Sequence, residues 1–125
     1  MSSLRLAEYL GHMLTAAQEA REFVEGQSRE SFLGDRRTQQ AVVMSLLIVG
    51  EAAARIMESD PSFVRSHREV PWRNIRGMRN RMAHGYFETN YEIVWETVSV
   101  EIPRLIAELS NLLAKPPPGR NGEAR

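Results

Sequence analysis

Between residues 65 and 81 the sequence sets six arginines, Arg65, Arg68, Arg73, Arg76, Arg79 and Arg81, against one acid, Glu69. The whole chain is balanced, with 16 basic and 16 acidic residues and zero formal net charge. The arginine run is therefore a local excess, not a general coat for nucleic acid. Arginine suits phosphate because its planar fork grips oxygens in pairs. The same run is equally compatible with a solvated helix face whose charges are paired elsewhere in the fold. His84 closes the run, five residues after Arg79 and directly before Gly85. An imidazole that trades protons near neutral pH, beside a fixed positive fork, is what RNA cleavage requires. The histidine takes or gives a proton at the 2′-hydroxyl or the leaving oxygen, and the arginine steadies charge on the phosphorane-like transition state. That route calls for no metal and no cofactor.

Geometry restricts how the pair can work. Five residues of straight helix turn the chain by about 500°, which leaves Arg79 and His84 about 140° apart. They converge only if the helix ends between them or if two subunits each contribute one. Gly85 favours the first option, placing His84 in the last turn or just past it, where a protonated histidine is favoured by the helix C-terminus. Taken alone, an Arg-x4-His spacing is common, and on that spacing alone His84 reads as a last-turn residue donating to a free carbonyl rather than as a catalytic group. Tyr86 adds a third polar group two residues on; by itself it reads as a packing residue beside Phe87.

These side chains need a frame. Leu6, Tyr9, Leu10, Met13, Ala17, Ala20, Phe23 and Val24 recur at helical steps and predict a helix over residues 3–25, stopped by Gly26. Ser28 is placed to cap a single turn that Gly34 ends, and Asp35 to cap a helix over residues 36–58. The middle of that helix, residues 41–50, is apolar on all sides, as in a helix surrounded by protein. Three consecutive alanines, Ala52 to Ala54, favour helix over a buried strand. An apolar face this wide points to a partner subunit. Pro61 opens a short turn, and Pro71 is pre-set for the first turn of the next helix. Trp72, Ile75, Met78 and Met82 stripe that helix and Gly85 ends it. Asn90 caps a last long helix, in which Pro103 predicts a kink or break. The fold class is all-α: an up-and-down bundle of four main helices plus short helical turns. The helical domain spans residues 1–114, and the Pro/Gly-rich tail, residues 115–125, is expected to be disordered.

Composition excludes several classes. Without cysteine there is neither a disulfide nor a thiolate metal site. The longest apolar run falls short of the roughly 20 residues a membrane span needs. The N-terminus carries no apolar segment of signal-peptide type, which points to the cytoplasm.

Arg79-x4-His84-x-Tyr86 resembles the R-x4-6-H-x-Y pattern of the HEPN family, specifically its HepT-like toxins. The likeness extends to Val70-Pro71-Trp72-Arg73, Gly77-Met78-Arg79-Asn80-Arg81 and His84-Gly85-Tyr86-Phe87. It also takes in residues 32–39, Gly50-Glu51-Ala52-Ala53 and Tyr91-Glu92-Ile93-Val94-Trp95, and so reaches nearly the whole chain to about Leu113. The resemblance implies a helical bundle that forms a homodimer, with two Arg/His motifs facing one cleft. It implies a metal-independent RNA endonuclease paired with a minimal nucleotidyltransferase (MNT) antitoxin. Arg79 and His84 would be the catalytic pair, with Asn80 in support. In some members the antitoxin transfers AMP onto the motif tyrosine, here Tyr86, and the bulky anion would block RNA. Arg73, Arg76 and Arg81 are the expected RNA contacts. The competing reading is a helical dimer that binds RNA or the antitoxin without cutting. Glu51 is either a partner for Arg79 or Arg76 or an acid at the bundle edge. Asp35 reads as a cap, His12 as a surface residue and His67 as part of the basic loop. Glu88, Glu92, Glu96 and Glu101 read as a solvated face open to an antitoxin.

Overall fold

The helix starts are sealed by short polar side chains, as the sequence leads one to expect. The computed structural model describes residues 1–85 and 89–115. Ser2 accepts from the Arg5 N–H at 3.0 Å and opens α1, Ser3–Phe23. Ser28 and Ser31 exchange hydrogen bonds at 3.0 and 2.9 Å around α2, Arg29–Leu33. Asp35 accepts from the Thr38 N–H at 3.2 Å and opens α3, Arg36–Ser59. Asp60 does the same for α4, Pro61–Ser66, and Pro61 fills its first turn. Gly26, at φ 79°, is the one described residue that needs the left-handed region, just past the end of α1. Helix α5, Trp72–His84, begins one residue later than expected. Pro71 sits outside it at the N-cap, and no side chain caps that end. Asn90 accepts from the Glu92 and Ile93 N–H groups and opens α6, Tyr91–Glu96.

From α6 the chain runs without a break through a π-helical turn, Thr97–Glu101, into α7, Ile102–Ala114. The expected disturbance at Pro103 takes this form, and its cause is a missing donor. In an α-helix the Pro103 ring would clash with the carbonyl four residues back and leave it unbonded. The wider turn avoids the clash, and Ile102 donates to Thr97 instead of Val98. The Val98 carbonyl would then take its donor from residue 103, which has none. Arg21 of α1 reaches across and donates to it at 3.0 Å.

Among the described residues no strand forms, and four long helices (α1, α3, α5 and the α6–α7 run) make the bundle. Helix α3 packs on α1 and α5, and α1 also backs onto α7. Small residues, Ala16, Ala17 and Ala20 on α1 with Ala52 and Ala53 on α3, are buried. Met13, Leu46, Val49, Ile56, Val98 and Leu109 fill the centre. Phe32 is fully buried and lies against Trp95, ring centroids 5.4 Å apart, joining α2 to α6.

Helix α3 as a whole is longer and more apolar than its central run indicates. By length and composition it is able to cross a membrane, but half of its apolar window is buried within the bundle. That burial, against α1 and α5, accounts for its hydropathy as the core helix of this fold. The expectation of protein on all sides holds for one part of α3 only. Val42, Leu46 and Val49 are buried, whereas Met44 is 58% and Ile48 41% exposed. Of the tail expected beyond the helical domain, all but Lys115 lies outside the described residues.

Candidate functional site

Helix α5 carries the candidate residues on two different sides. Its inner stripe is Trp72, Ile75 and Met82, all buried. Arg79 follows Trp72 by seven residues and so lies about 20° from it around the axis, on that same inner stripe. A charged side chain is accommodated there because of Gly50. A Cβ at Gly50 would lie 2.3 Å from the Cβ of Arg79 and 2.8 Å from its Cγ. Glycine thus forms a notch in α3 that the arginine stem crosses. The guanidinium emerges beside Glu51, with Arg79 Nη1 3.6 Å from Glu51 Oε1. The other oxygen of Glu51 lies 3.5 Å from Arg55 Nε, so one carboxylate serves two arginines. The Arg79 side chain is 27% exposed, and its Nε is buried with no hydrogen-bond partner among the described residues. Contact with Gly50 and Glu51 fixes where this fork points.

His84 is exposed in the last turn of α5, and α5 continues through it without interruption. The helix therefore does not end between Arg79 and His84. Gly85 follows with an ordinary negative φ of −123°, donating to Arg81 O at 2.9 Å. The two residues stay about 140° apart, on different sides of one intact helix. Of the two ways to bring them together, a single chain does not supply the first. His84 instead shares the outer side of α5 with Asn80 and Arg73. Four and eleven residues separate them from it, which leaves all three within about 40° of arc. Arg76 and Arg81 flank this line, and both are exposed. The Arg81 guanidinium lies over Gly77, where an added Cβ would sit 3.3 Å from Nη1. Among the described residues Arg73, Arg76 and Arg81 form no ion pair. The outer side of α5 is thus a cationic strip with one imidazole at its end. Tyr86, with Phe87 and Glu88, lies outside the described residues.

The remaining candidates take ordinary structural roles. Glu51 is both things the sequence allowed, an exposed acid and the partner of Arg79. Asp35 caps α3, and hydrogen bonds from the Thr38 hydroxyl and N–H, with one from Gln27, hold its carboxyl below the usual range. His67 stacks on Phe63 with ring centroids 4.1 Å apart, and its backbone carbonyl accepts from Trp72 Nε1 at 2.9 Å. It braces the loop before α5. His12 is exposed and packs edge-on to Tyr9. Glu92 pairs with Arg29, Glu101 with Arg104, and Glu96 is exposed. Among the described residues no three His, Asp or Glu side chains gather as a cation-binding group. The residue that composition and spacing left unassigned is Gly50. A lone glycine inside an apolar helix was the available signal of close packing.

Comparison with known proteins bears on what this arrangement is for. A family model described as "Ribonuclease HepT-like" matches residues 13–112. A candidate RNase of Caldanaerobacter subterraneus subsp. tengcongensis is 40% identical over 107 residues, covering 86% of this chain and 93% of its own. A protein named "Probable ribonuclease HepT" from Thermococcus cleftensis is 36% identical over 105 residues, 84% of this chain and 93% of its own. A candidate RNase of Methanocaldococcus jannaschii is 31% identical over 105 residues, 84% of each chain. No solved structure matches. With four fifths of its residues under one family model and relatives that align along nearly their whole length, this chain belongs to the HepT-like ribonuclease family.

Proposed function

We propose that this protein is a metal-independent RNA endonuclease, with Arg79 and His84 as its catalytic pair and Arg73, Arg76 and Arg81 as RNA contacts. The observation that carries the reading is the outer side of α5, where an exposed imidazole ends a strip of arginines that no described acid neutralises. RNA supplies its own nucleophile. The 2′-hydroxyl loses its proton and attacks phosphorus, the P–O5′ bond breaks, and the leaving oxygen gains a proton. The products are a 2′,3′-cyclic phosphate and a 5′-hydroxyl. His84 serves one of those proton transfers, and the Arg79 fork stabilises the extra charge on the pentavalent phosphorus. Asn80, on the same side as His84, supports the phosphate.

The separation of Arg79 from His84 makes a homodimer part of the proposal. Met44 and Ile48 are exposed on the side of α3 that also carries Glu51. A depression of about 420 Å³ bordered by Met44 takes in Leu47 of α3 and Met82 and Ala83 of α5. Apolar area of this kind is the usual seat of a subunit contact. A two-fold contact there supplies one copy's Arg79 with the partner's His84. Mixing decides this. Arg79→Ala and His84→Ala are each inactive as homodimers, and the mixed dimer regains one intact site, so activity returns on subunit exchange. If exchange is verified and no activity returns, the shared site is wrong.

We propose as its biological setting a cytoplasmic toxin neutralised by an MNT nucleotidyltransferase antitoxin, with AMP transfer onto Tyr86 as the means of control, a reading that membership of the HepT-like ribonuclease family supports. Expression with and without the neighbouring gene tests it. His84→Ala is expected to abolish growth arrest and RNA cleavage while leaving the dimer intact. Full cleavage by a clean preparation of His84→Ala would reject the assignment. Co-expression with the antitoxin should raise the intact mass by whole AMP units in the wild type and not in Tyr86→Phe; an unchanged wild-type mass removes that element.

A further inference from the structure

The catalytic proposal uses α5 from Arg73 to His84 and leaves two arginines of the basic run, Arg65 and Arg68, without a role. Both are exposed, and neither forms an ion pair among the described residues. They border a cleft of about 490 Å³ at the other end of α5, together with Arg73. The cleft also takes in Met57, Val64 and Pro71, so three cations ring an apolar surface. Its size is that of a small-ligand site. Glu69, the one acid of this stretch, is not part of the cleft. Its charge acts on Glu108 of α7 instead.

The cleft is continuous with the catalytic side of the helix. Arg73 and His84 are eleven residues apart, which places them about 20° apart around the axis and about 16 Å apart along it. That distance is a few nucleotides of single strand. We infer that this cleft is a second subsite for the RNA substrate, in which an unpaired base lies on Met57, Val64 and Pro71 while the neighbouring phosphates meet Arg65, Arg68 and Arg73. The inference rests on the ribonuclease reading above and deepens it. Every base has an apolar face, so such a site takes single strands with little preference for sequence. A duplex offers no free base to the apolar surface, so the subsite selects for unpaired RNA.

The test separates this subsite from the catalytic centre. The variant is the double substitution Arg65→Ala/Arg68→Ala, at two exposed positions, and it is expected to leave the helical circular dichroism unchanged. In the otherwise wild-type chain, cleavage of a dinucleotide is expected to be unchanged. The kcat/KM for a single-stranded oligouridylate of roughly twelve nucleotides is expected to fall by about tenfold, one charge-assisted contact's worth or more. In a His84→Ala background, which binds without cutting, fluorescence anisotropy of the same labelled oligonucleotide gives Kd against salt. Removing two phosphate contacts should reduce the slope of log K against log salt by about 1.4. An unchanged slope, or equal loss on short and long substrates, overturns the subsite. So does a double variant that binds RNA normally but no longer holds an acidic protein partner. Should His84→Ala still cut RNA, the catalytic assignment falls, while the salt slope still decides the subsite.

Discussion

Two glycines in the middles of two long helices should respond to alanine with opposite signs. Gly11 in α1 has nothing within 4 Å of where a Cβ would stand, whereas at Gly50 in α3 the new atom would lie 2.3 Å from Arg79 Cβ. Alanine in place of glycine favours the helix by about 0.5–1 kcal/mol. Gly11→Ala should show that gain nearly whole. At Gly50 the carbon pair must open from 2.3 Å to an ordinary contact of about 3.5–4.0 Å, a displacement of somewhat over 1 Å at the crossing of α3 and α5. The opposing atom is the root of a side chain on a helix and has no soft rotation to move it. Overpacking of this kind typically costs about 1–3 kcal/mol, and gaps of about 0.5–1 Å elsewhere along the crossing forfeit a quarter to a half of the contact energy. Offset by the propensity gain, Gly50→Ala should lose about 1–2 kcal/mol, a fall of roughly 4–8 °C in Tm. Urea and thermal unfolding at one fixed protomer concentration measure both variants, so that any linkage to dimer formation is held constant. Because the clash is with Arg79 itself, Gly50→Ala should also lower RNA cleavage beyond what its unfolded fraction explains, and Gly11→Ala should not. A Gly50→Ala variant that is stabilised as much as Gly11→Ala would refute the notch and, with it, the account of how Arg79 is aimed.

Four further outcomes follow from the same contacts. Glu51→Gln leaves Arg79 in its notch but removes the charge that holds its fork. Stability should change by less than about 1 kcal/mol, as for other exposed pairs, while kcat falls more than KM rises and Glu51→Asp restores part of the loss. Arg21→Ala strands the Val98 carbonyl and should cost about 1–3 kcal/mol. In a Pro103→Ala background an N–H is again available to the segment, and a double-mutant cycle should show a smaller loss. The carboxyl of Asp35 titrates below its ordinary range, so its cap contributes fully above that range and is lost as pH falls through the lowered folded value. Asp35→Asn, which keeps a cap, should flatten the acid limb of the stability profile. Burial, and then the nearby Glu69 charge, raise the pKa of Glu108. Its ionisation therefore opposes folding above the raised value and the penalty lifts as pH falls, so Glu108→Gln should stabilise at neutral pH and lose that advantage in acid, as read by unfolding across pH.

Much of this molecule is written in local chemistry. Ser28, Asp35 and Asn90 mark helix starts because the N–H groups they satisfy lie within three residues of them, and Pro61 because its fixed φ suits a first turn. Gly26 marks an end through its own left-handed φ, and Gly85 by donating to the Arg81 carbonyl four residues back. The angular separation of Arg79 and His84 follows from helix pitch alone and needed no coordinates. Whether the helix stopped between them was a different matter. Gly85 is compatible with an earlier end, but α5 is held through its last turn by Met82 packing into the core. Burial decided the boundary, and burial is not local.

The same division holds for Pro103 and for the arginine at the site. The sequence by itself located the disturbance in the last helix, since a proline always removes a donor. Only the tertiary structure made it a π turn closed by Arg21, because the group that satisfies Val98 comes from a helix 77 residues away. The sequence alone likewise set out the arginine excess, the imidazole at its end and their pitch. It did not show that Arg79 belongs to the inner stripe and reaches the surface past Gly50 and Glu51, while His84 stands on the outer side with Arg73 and Asn80. Spacing along a chain fixes angles within one helix. Which side of that helix meets protein is fixed by the helices packed against it, and that choice separated the two residues.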